Sequence, residues 1–243
     1  MASRQEQHGG RGQQRKRRPK TRPSGRRDDP PEVRLSKTLA YALRHGAEEL
    51  QLDIRPSGYV PLAQLLALPL FRGFTEEQVD EVVRSNAKKR FSMTTDETGS
   101  VRYIRANQGH TLQAVEDEAL LTPLEDPQAL EQCVHGTYLK FWESIWTTGL
   151  SRMGRNHIHF TEREVQDEEV VSGMRSNCNL LLYVDYPKAL EDGIKFYKSS
   201  NNVVLSPGIA DTGVIDRRYF LRAVQRDGTI VYDREAEADS KTE

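Results

Sequence analysis

The apolar residues change their spacing partway along the chain, and this change restricts the available folds more than any other feature of the sequence. Leu35, Leu39 and Leu43 repeat every four residues, so the stretch LSKTLAYALRH, Leu35 to His45, reads as an amphipathic helix with leucines on one face. A short helix is expected around 61–68. Thr75 through Gln78 then matches a capping box ahead of Val79, Val82 and Val83 at helical spacing. Beyond these, the pattern turns to short β-prone runs. Residues 90–94 and 100–105 flank Asp96-Glu97-Thr98-Gly99, a turn-rich connection that reads as a hairpin. Three helices followed by a hairpin predict a winged helix over 31–110.

Residues 111–130, TLQAVEDEALLTPLEDPQAL, carry acids, two prolines and no clear strand, and are expected to be a linker. The following segment, 131–233, reads as a second lobe. It should hold a strand into Val134, a helix over 138–147 stopped by Gly149, and strands near 157–161, 179–184, 194–197, 202–205 and 218–224. The expected class is therefore α+β in two lobes, without internal repeats, and with polar ends at 1–30 and 234–243.

Charge is divided unevenly. Of the chain's 35 Lys/Arg and 36 Asp/Glu, ten bases and one acid lie within 1–27, so that segment carries +9 and the rest −10. Its sequence, rich in Gly, Pro, Gln and Arg, is too poor in apolar groups to offset the entropy of ordering, so disorder is expected for 1–30 and for 234–243. Clustered Arg and Lys suit a nucleic-acid tether or an import signal, but equally a solvated tail that only aids solubility. Because the body is acidic, any RNA contact there must be local.

No run approaches the roughly 18 apolar residues that span a bilayer, and the N-terminus lacks the apolar core of a secretory signal. Cys133 and Cys178 are too few for a disulfide framework and stand in no metal-ligand spacing. Reduced thiols, no zinc and a cytoplasmic or nuclear location are expected.

The titratable chemistry is concentrated in a few clusters. In His157-Ile158-His159-Phe160 polar and apolar residues alternate, so a strand sends both histidines to one face, the expected wall of a cleft. Five of the six histidines lie outside the tail, each beside polar residues: His45 after Arg44, His110 closing RANQGH, His135 opening HGT, and the HIH pair. A metal would need a third ligand near His157 and His159, and the sequence offers none, so no metal site is expected. Arg44-His45 could be no more than a basic helix C-terminus, favoured by the helix dipole. Guanidinium groups, however, bind phosphate through paired, charge-assisted hydrogen bonds, and Arg44, Arg105 and Arg155 could converge on one phosphoryl group.

Taken in order, LSKTLAYALRH, YIRANQGH, VHGT, GLSRMGRNHIHF, VSGMR and EDGIKFYKSSNNV closely resemble the motifs of the KptA-type RNA (tRNA) 2′-phosphotransferase family, over roughly residues 33–224. The resemblance implies an N-terminal winged-helix RNA lobe and a C-terminal NAD lobe related to ADP-ribosyltransferases. It implies that an internal RNA 2′-phosphate, such as a spliced tRNA carries, attacks C1″ of NAD⁺ and expels nicotinamide. The ribose O2″ then attacks the phosphorus, releasing 2′-OH RNA and ADP-ribose 1″,2″-cyclic phosphate. NAD is consumed as a co-substrate, and the protein is expected to act as a monomer.

Carried over motif by motif, the family's catalytic Arg-His-Arg-Arg set falls on Arg44, His45, Arg105 and Arg155, with His45 suited to protonate the departing RNA oxygen. His135, Gly136 and Thr137 match the HGT element that grips the NAD ribose. Gly149, Met153, His157, His159, Arg175, Ser200 and Asn201 match further NAD-lobe positions. Asn202 stands where the family commonly has Gly, and Asn tolerates left-handed backbone angles. Val203 or a neighbour stands where protein ADP-ribosyltransferases carry a catalytic glutamate. A phosphate acceptor is already nucleophilic and needs no such base. Two other readings stay open: an ADP-ribosyltransferase that stops after the first step and caps terminal nucleic-acid phosphates, and a non-catalytic winged-helix nucleic-acid-binding module. Deleting residues 1–27 is expected to leave turnover of a short RNA intact; an inactive truncated chain in that assay would show the tail to be part of the catalytic unit.

Overall fold

The structure is a computed structural model that describes residues 28–162, 173–210 and 212–239. The tail of 1–27 therefore lies outside the described residues.

The leucine repeat forms α1, Pro31–Arg44, with Leu35, Leu39 and Leu43 at most 1% exposed. Pro31 opens the helix because its missing N–H costs nothing in the first turn. The chain continues through β1, Val60–Pro61, and α2, Leu62–Leu66, to α3, Glu76–Ser85. Thr75 and Gln78 exchange both bonds of the expected capping box at the start of α3. The hairpin pairs β2, Phe91–Thr95, antiparallel with β3, Arg102–Ala106, and β1 joins its far side to give the order β1-β3-β2.

The stretch read as a strandless linker is built into the fold. It forms α4, Asp117–Leu120, and β4, Thr122–Leu124, and it sends Leu112, Val115, Leu120 and Leu121 into the first hydrophobic core. Its leucines follow neither helical nor strand spacing, so periodicity alone could not place them. Pro123 is accommodated because β4 is an edge strand, where one missing ladder donor is tolerated.

The remaining elements are β5, Val134–Thr137; α5, Trp142–Thr148; β6, Leu150–Ser151; β7, Ile158–Phe160; β8, Leu180–Val184; α6, Tyr186–Glu191; β9, Phe196–Lys198; β10, Val204–Ser206; β11, Val214–Ile215; β12, Phe220–Gln225; β13, Ile230–Asp233; and α7, Arg234–Asp239. They build two antiparallel four-stranded sheets, β4-β9-β10-β7 and β13-β12-β8-β5, and a β11-β6 pair. A Val134–Thr161 bridge brings the two larger sheets together beside His135 and His159. The architecture is α+β. The end expected to be disordered starts instead as α7: the Asp233 carboxylate accepts from the Glu235 and Ala236 N–H groups, and Arg234 pairs with Asp185 at 2.8 Å.

Of the three apolar cores among the described residues, the two larger ones interleave. Tyr197, Val203 and Leu205, from the sheet of the C-terminal half, pack into the core built mainly by residues 35–121. Ile158, Phe160, Val204 and Phe196 face the second core. Alternation along β7 and β10 thus gives each strand one face toward each half.

At Gly149 the chain leaves α5 with φ +82 and turns into β6; an added Cβ would lie 2.4 Å from Val214 Cγ1 and 2.8 Å from the Ile215 carbonyl oxygen. Gly149→Ala combines a left-handed backbone with a clash against fixed backbone, and is expected to cost about 2 kcal/mol or more, read as a lower urea midpoint at unchanged slope.

Candidate active site

The loop after β3, Asn107-Gln108-Gly109-His110, joins every part of the site. The Asn107 side chain donates to the Lys89 carbonyl at 2.8 Å and meets Ser92 at 2.7 Å, anchoring the loop to β2. Gly109 has φ +87, and a Cβ there would lie 3.6 Å from the Arg44 guanidinium, so the end of α1 lays its cation over bare backbone. The His110 carbonyl accepts the Asn156 N–H at 2.9 Å, and Asn156 donates through its side chain to the Leu112 carbonyl at 3.1 Å. Arg155 is therefore held next to a segment fixed by the other half. Thr111 donates to the Arg44 carbonyl at 2.9 Å and holds His45 Nδ1 at 3.1 Å.

Arg44 Nε and Nη2 are buried without a hydrogen-bond partner, as are Arg105 Nε and His110 Nε2. Buried donors left unpaired are costly, and these nitrogens have donors to offer a polar ligand. Burial pushes Arg44 down to about 10, aided by the charges of Arg155 and Arg90. Arg155 is lowered by burial and then by Arg175. His45 is lowered by burial, Arg44 and Arg155. Every neighbouring charge acting on these groups is positive, the electrostatic character of an anion site.

Arg90 is a further cation acting on Arg44 that sequence reasoning did not single out. It follows the Lys88-Lys89 pair just before β2, and its charge reaches Arg44, whereas Arg105 affects only His110 among the shifted groups. Arg105 instead donates to the Ser57 carbonyl at 3.3 Å and lies over the Tyr59 ring, 4.7 Å from its centroid. The charges of both Arg155 and Arg90 act on Arg44, and Arg105, whose charge acts on His110, keeps a buried Nε without a partner. A basic run ahead of a strand was the available signal, but it looks the same as a solvated β-edge.

Both HIH histidines turn away from the second core and toward the N-terminal half. They are buried, at 5% and 7% exposure, and act as a seam rather than an open wall. His159 Nε2 meets the Gln108 amide at 2.7 Å, and its Nδ1 meets the His157 carbonyl at 3.1 Å. His157 Nε2 lies 3.0 Å from an Asp117 carboxylate oxygen but is not aligned for a hydrogen bond. His135 Nδ1 donates to the His159 carbonyl at 2.8 Å. Burial lowers His135, and the charges of Arg155 and Arg175 lower it further.

The other expected cofactor-binding residues divide. Arg175 is exposed and electrically coupled to Arg155 and His135. Met153 is 84% exposed with φ +58, an unusual backbone angle for a side chain of its size, on the loop that carries Arg155. Gly136 lies in β5, but Met174 and Cys178 fill the space its Cβ would need, at 2.4 Å and 2.8 Å, so its small size serves packing within the half. Thr137 is buried opposite Leu180, and Gly149 acts as the helix stop. Ser200 is exposed. Asn201 is buried, and its side chain donates to the Lys88 carbonyl at 2.9 Å, a clasp between the halves. Asn202 adopts φ +60, so the turn survives without the glycine. Among the described residues no group of three or more His, Cys, Asp or Glu could hold a metal, and both cysteines are free and buried.

Comparison with known proteins gives this cation-lined seam its class. The sequence profile of the RNA 2′-phosphotransferase, Tpt1/KptA family matches residues 30–208. The chain is 48% identical over 214 residues to tRNA 2′-phosphotransferase 1 of Mus musculus, covering 86% of this chain and 85% of the relative. It is 47% identical over 223 residues to tRNA 2′-phosphotransferase 1 of Homo sapiens, covering 91% and 84%. To the tRNA 2′-phosphotransferase of Saccharomyces cerevisiae it is 35% identical over 190 residues, covering 74% and 81%. The chain belongs to the RNA 2′-phosphotransferase, Tpt1/KptA family.

Buried histidines also set the pH dependence of the fold. His110 is 2% exposed, and burial with the charges of Arg44, His157, His45 and Arg105 brings it from an ordinary 6.5 to about 3. Between those values the unfolded chain binds a proton that the native chain refuses. Stability is therefore full above about pH 6.5 and falls as pH drops, by up to about 1.4 kcal/mol per pH unit for a fully buried histidine. Urea unfolding at stepped pH is expected to show this fall, with a shallower slope in His110→Gln.

Proposed function

We propose that this protein removes an internal 2′-phosphate from RNA, such as spliced tRNA, by transferring it to NAD⁺, releasing 2′-OH RNA, nicotinamide and ADP-ribose 1″,2″-cyclic phosphate. The observation that carries the reading is the pair of unpartnered buried nitrogens of Arg44, among cations contributed by both halves of the chain. Residues 31–110 are read as a winged-helix RNA lobe, supported by three helices ahead of the β1-β3-β2 sheet. Residues 131–233 are read as an ADP-ribosyltransferase-like NAD lobe, joined through 111–130.

The residues suit a pyrophosphate-bearing nucleotide: Arg155 and Arg175 are near enough to repel one another, and the imidazole of His135 is kept neutral between them and the core. NAD⁺, when bound, supplies an electrophilic anomeric carbon with nicotinamide as leaving group. The chain's own groups do the rest. Arg44, His45 and Arg105 hold the RNA phosphate from one side, with Arg90 adding its charge, and Arg155 meets it from the other. Fixed cations that need no reorientation offset the negative charge gathering on phosphorus. His45, at the mouth of the seam, donates a proton to the departing RNA O2′. Its lowered pKa favours the neutral ring, and a phosphate dianion beside Arg44 and Arg155 counters the two charges that contribute to that lowering. A monomer in the cytoplasm or nucleus is consistent with this role.

The test is to incubate the protein with a short RNA bearing one internal 2′-phosphate, with and without NAD⁺, and to resolve the products by mass. NAD-dependent phosphate loss with cyclic-phosphate formation is expected. Phosphate loss without NAD⁺ would mean a phosphatase, stable ADP-ribosylated RNA a capping transferase, and no reaction a binding module. Arg44→Ala, Arg105→Ala and Arg155→Ala are each expected to lower kcat/KM by about 100-fold or more.

A further inference from the structure

Gln108 crosses the seam between the halves, yet nothing in the phosphate chemistry requires it. Its Oε1 lies 2.7 Å from His159 Nε2, with both side chains buried. On the other side of the ring, Nδ1 lies 3.1 Å from the His157 carbonyl oxygen. A carbonyl only accepts and this one is fixed in the backbone, so Nδ1 carries the proton. The groups facing the ring are Arg155 from the loop after β6, Arg44 from α1, His157 from its own strand and His135 from β5. With burial they hold it well below the ordinary imidazole range. A neutral ring protonated at Nδ1 presents a lone pair at Nε2. The Gln108 amide must therefore turn its nitrogen, not its oxygen, toward the ring, an exchange of two atoms of nearly equal size.

The consequence reaches the phosphate site through the loop that carries Gln108. The next residue, Gly109, supports the Arg44 guanidinium, and the carbonyl after that, of His110, holds Asn156 beside Arg155. We propose that Gln108 is a positioning residue: its amide N–H, donated to Nε2 of the Nδ1–H tautomer that the His157 carbonyl sets, seats the Asn107–His110 loop so that Arg44 and Arg155 face one another across a single phosphate. Its catalytic effect rests on the function proposed above; the tautomer does not.

The two parts are tested separately. Imidazole ¹⁵N spectra of the full chain should show His159 protonated at Nδ1 and bare at Nε2 from about pH 6 to about pH 8. In Gln108→Glu a carboxylate cannot donate, so His159 should gain a proton on Nε2 in that range. In Gln108→Met, which is close in volume, the ring should keep the wild-type tautomer. In phosphate transfer, both variants should lose at least about tenfold in kcat, with KM for NAD⁺ changed less than threefold, order-of-magnitude expectations for lost positioning. Only Gln108→Glu should acquire a new pH-dependent limb, following the titration of His159. Wild-type His159 protonated at Nε2, or a Gln108→Glu ring identical to wild type, would overturn the tautomer assignment. Wild-type kcat in Gln108→Met would overturn the positioning role. Absence of phosphate transfer in the wild type would instead remove the proposed function, leaving the spectra to decide on Gln108.

Discussion

Positive charges held close together against their own repulsion are the condition on which the rest of this structure depends. Burial lowers Arg44, Arg155 and His135, and the charges of Arg90, Arg155 and Arg175 lower them further. Such an arrangement survives only if rigid neutral groups fix it. Here those groups are main-chain: the Thr111 N–H on the Arg44 carbonyl, the His110 carbonyl on the Asn156 N–H, and the bare Gly109 backbone under the Arg44 guanidinium. Cations fixed in this way need no reorientation to meet an anion, which is electrostatic preorganisation in its simplest form.

The same demand explains how the two halves are joined. Arg44 and Arg90 come from one half and Arg155 and Arg175 from the other, and a flexible connection would let them drift apart. Instead Tyr197, Val203 and Leu205 enter the N-terminal core, Asn201 clasps the Lys88 carbonyl, and the stretch between the halves is folded into both. Apolar burial, worth roughly 25 cal/mol per Å², offsets the cost of bringing the charges together.

Much of the frame could be read directly. The leucine repeat, the Thr75–Gln78 box, the hairpin and the alternation in HIHF depend on local geometry, which neighbouring residues in the sequence largely specify. Asn202 at φ +60 was legible for the same reason. Residues 111–130 were not, because Leu112, Val115, Leu120 and Leu121 are buried by distant partners rather than by a period of their own. Nor was the α7 helix, whose Asp233 cap and Arg234–Asp185 pair depend on where β13 ends.

For the site, the sequence by itself determined the chemistry: the kinds of group, the order of the motifs, and with them the family. Only the tertiary structure decided which of those groups meet. Arg155 and Arg90 lend their charge to Arg44 while Arg105 lies over Tyr59, Gly136 makes room for Met174, and Gln108, one polar residue among several in RANQGH, reaches His159 from 51 residues away. The reason is physical: a side chain's type and local backbone are set by its neighbours in the chain, whereas the direction in which a guanidinium or an amide points is set by packing between segments far apart in sequence.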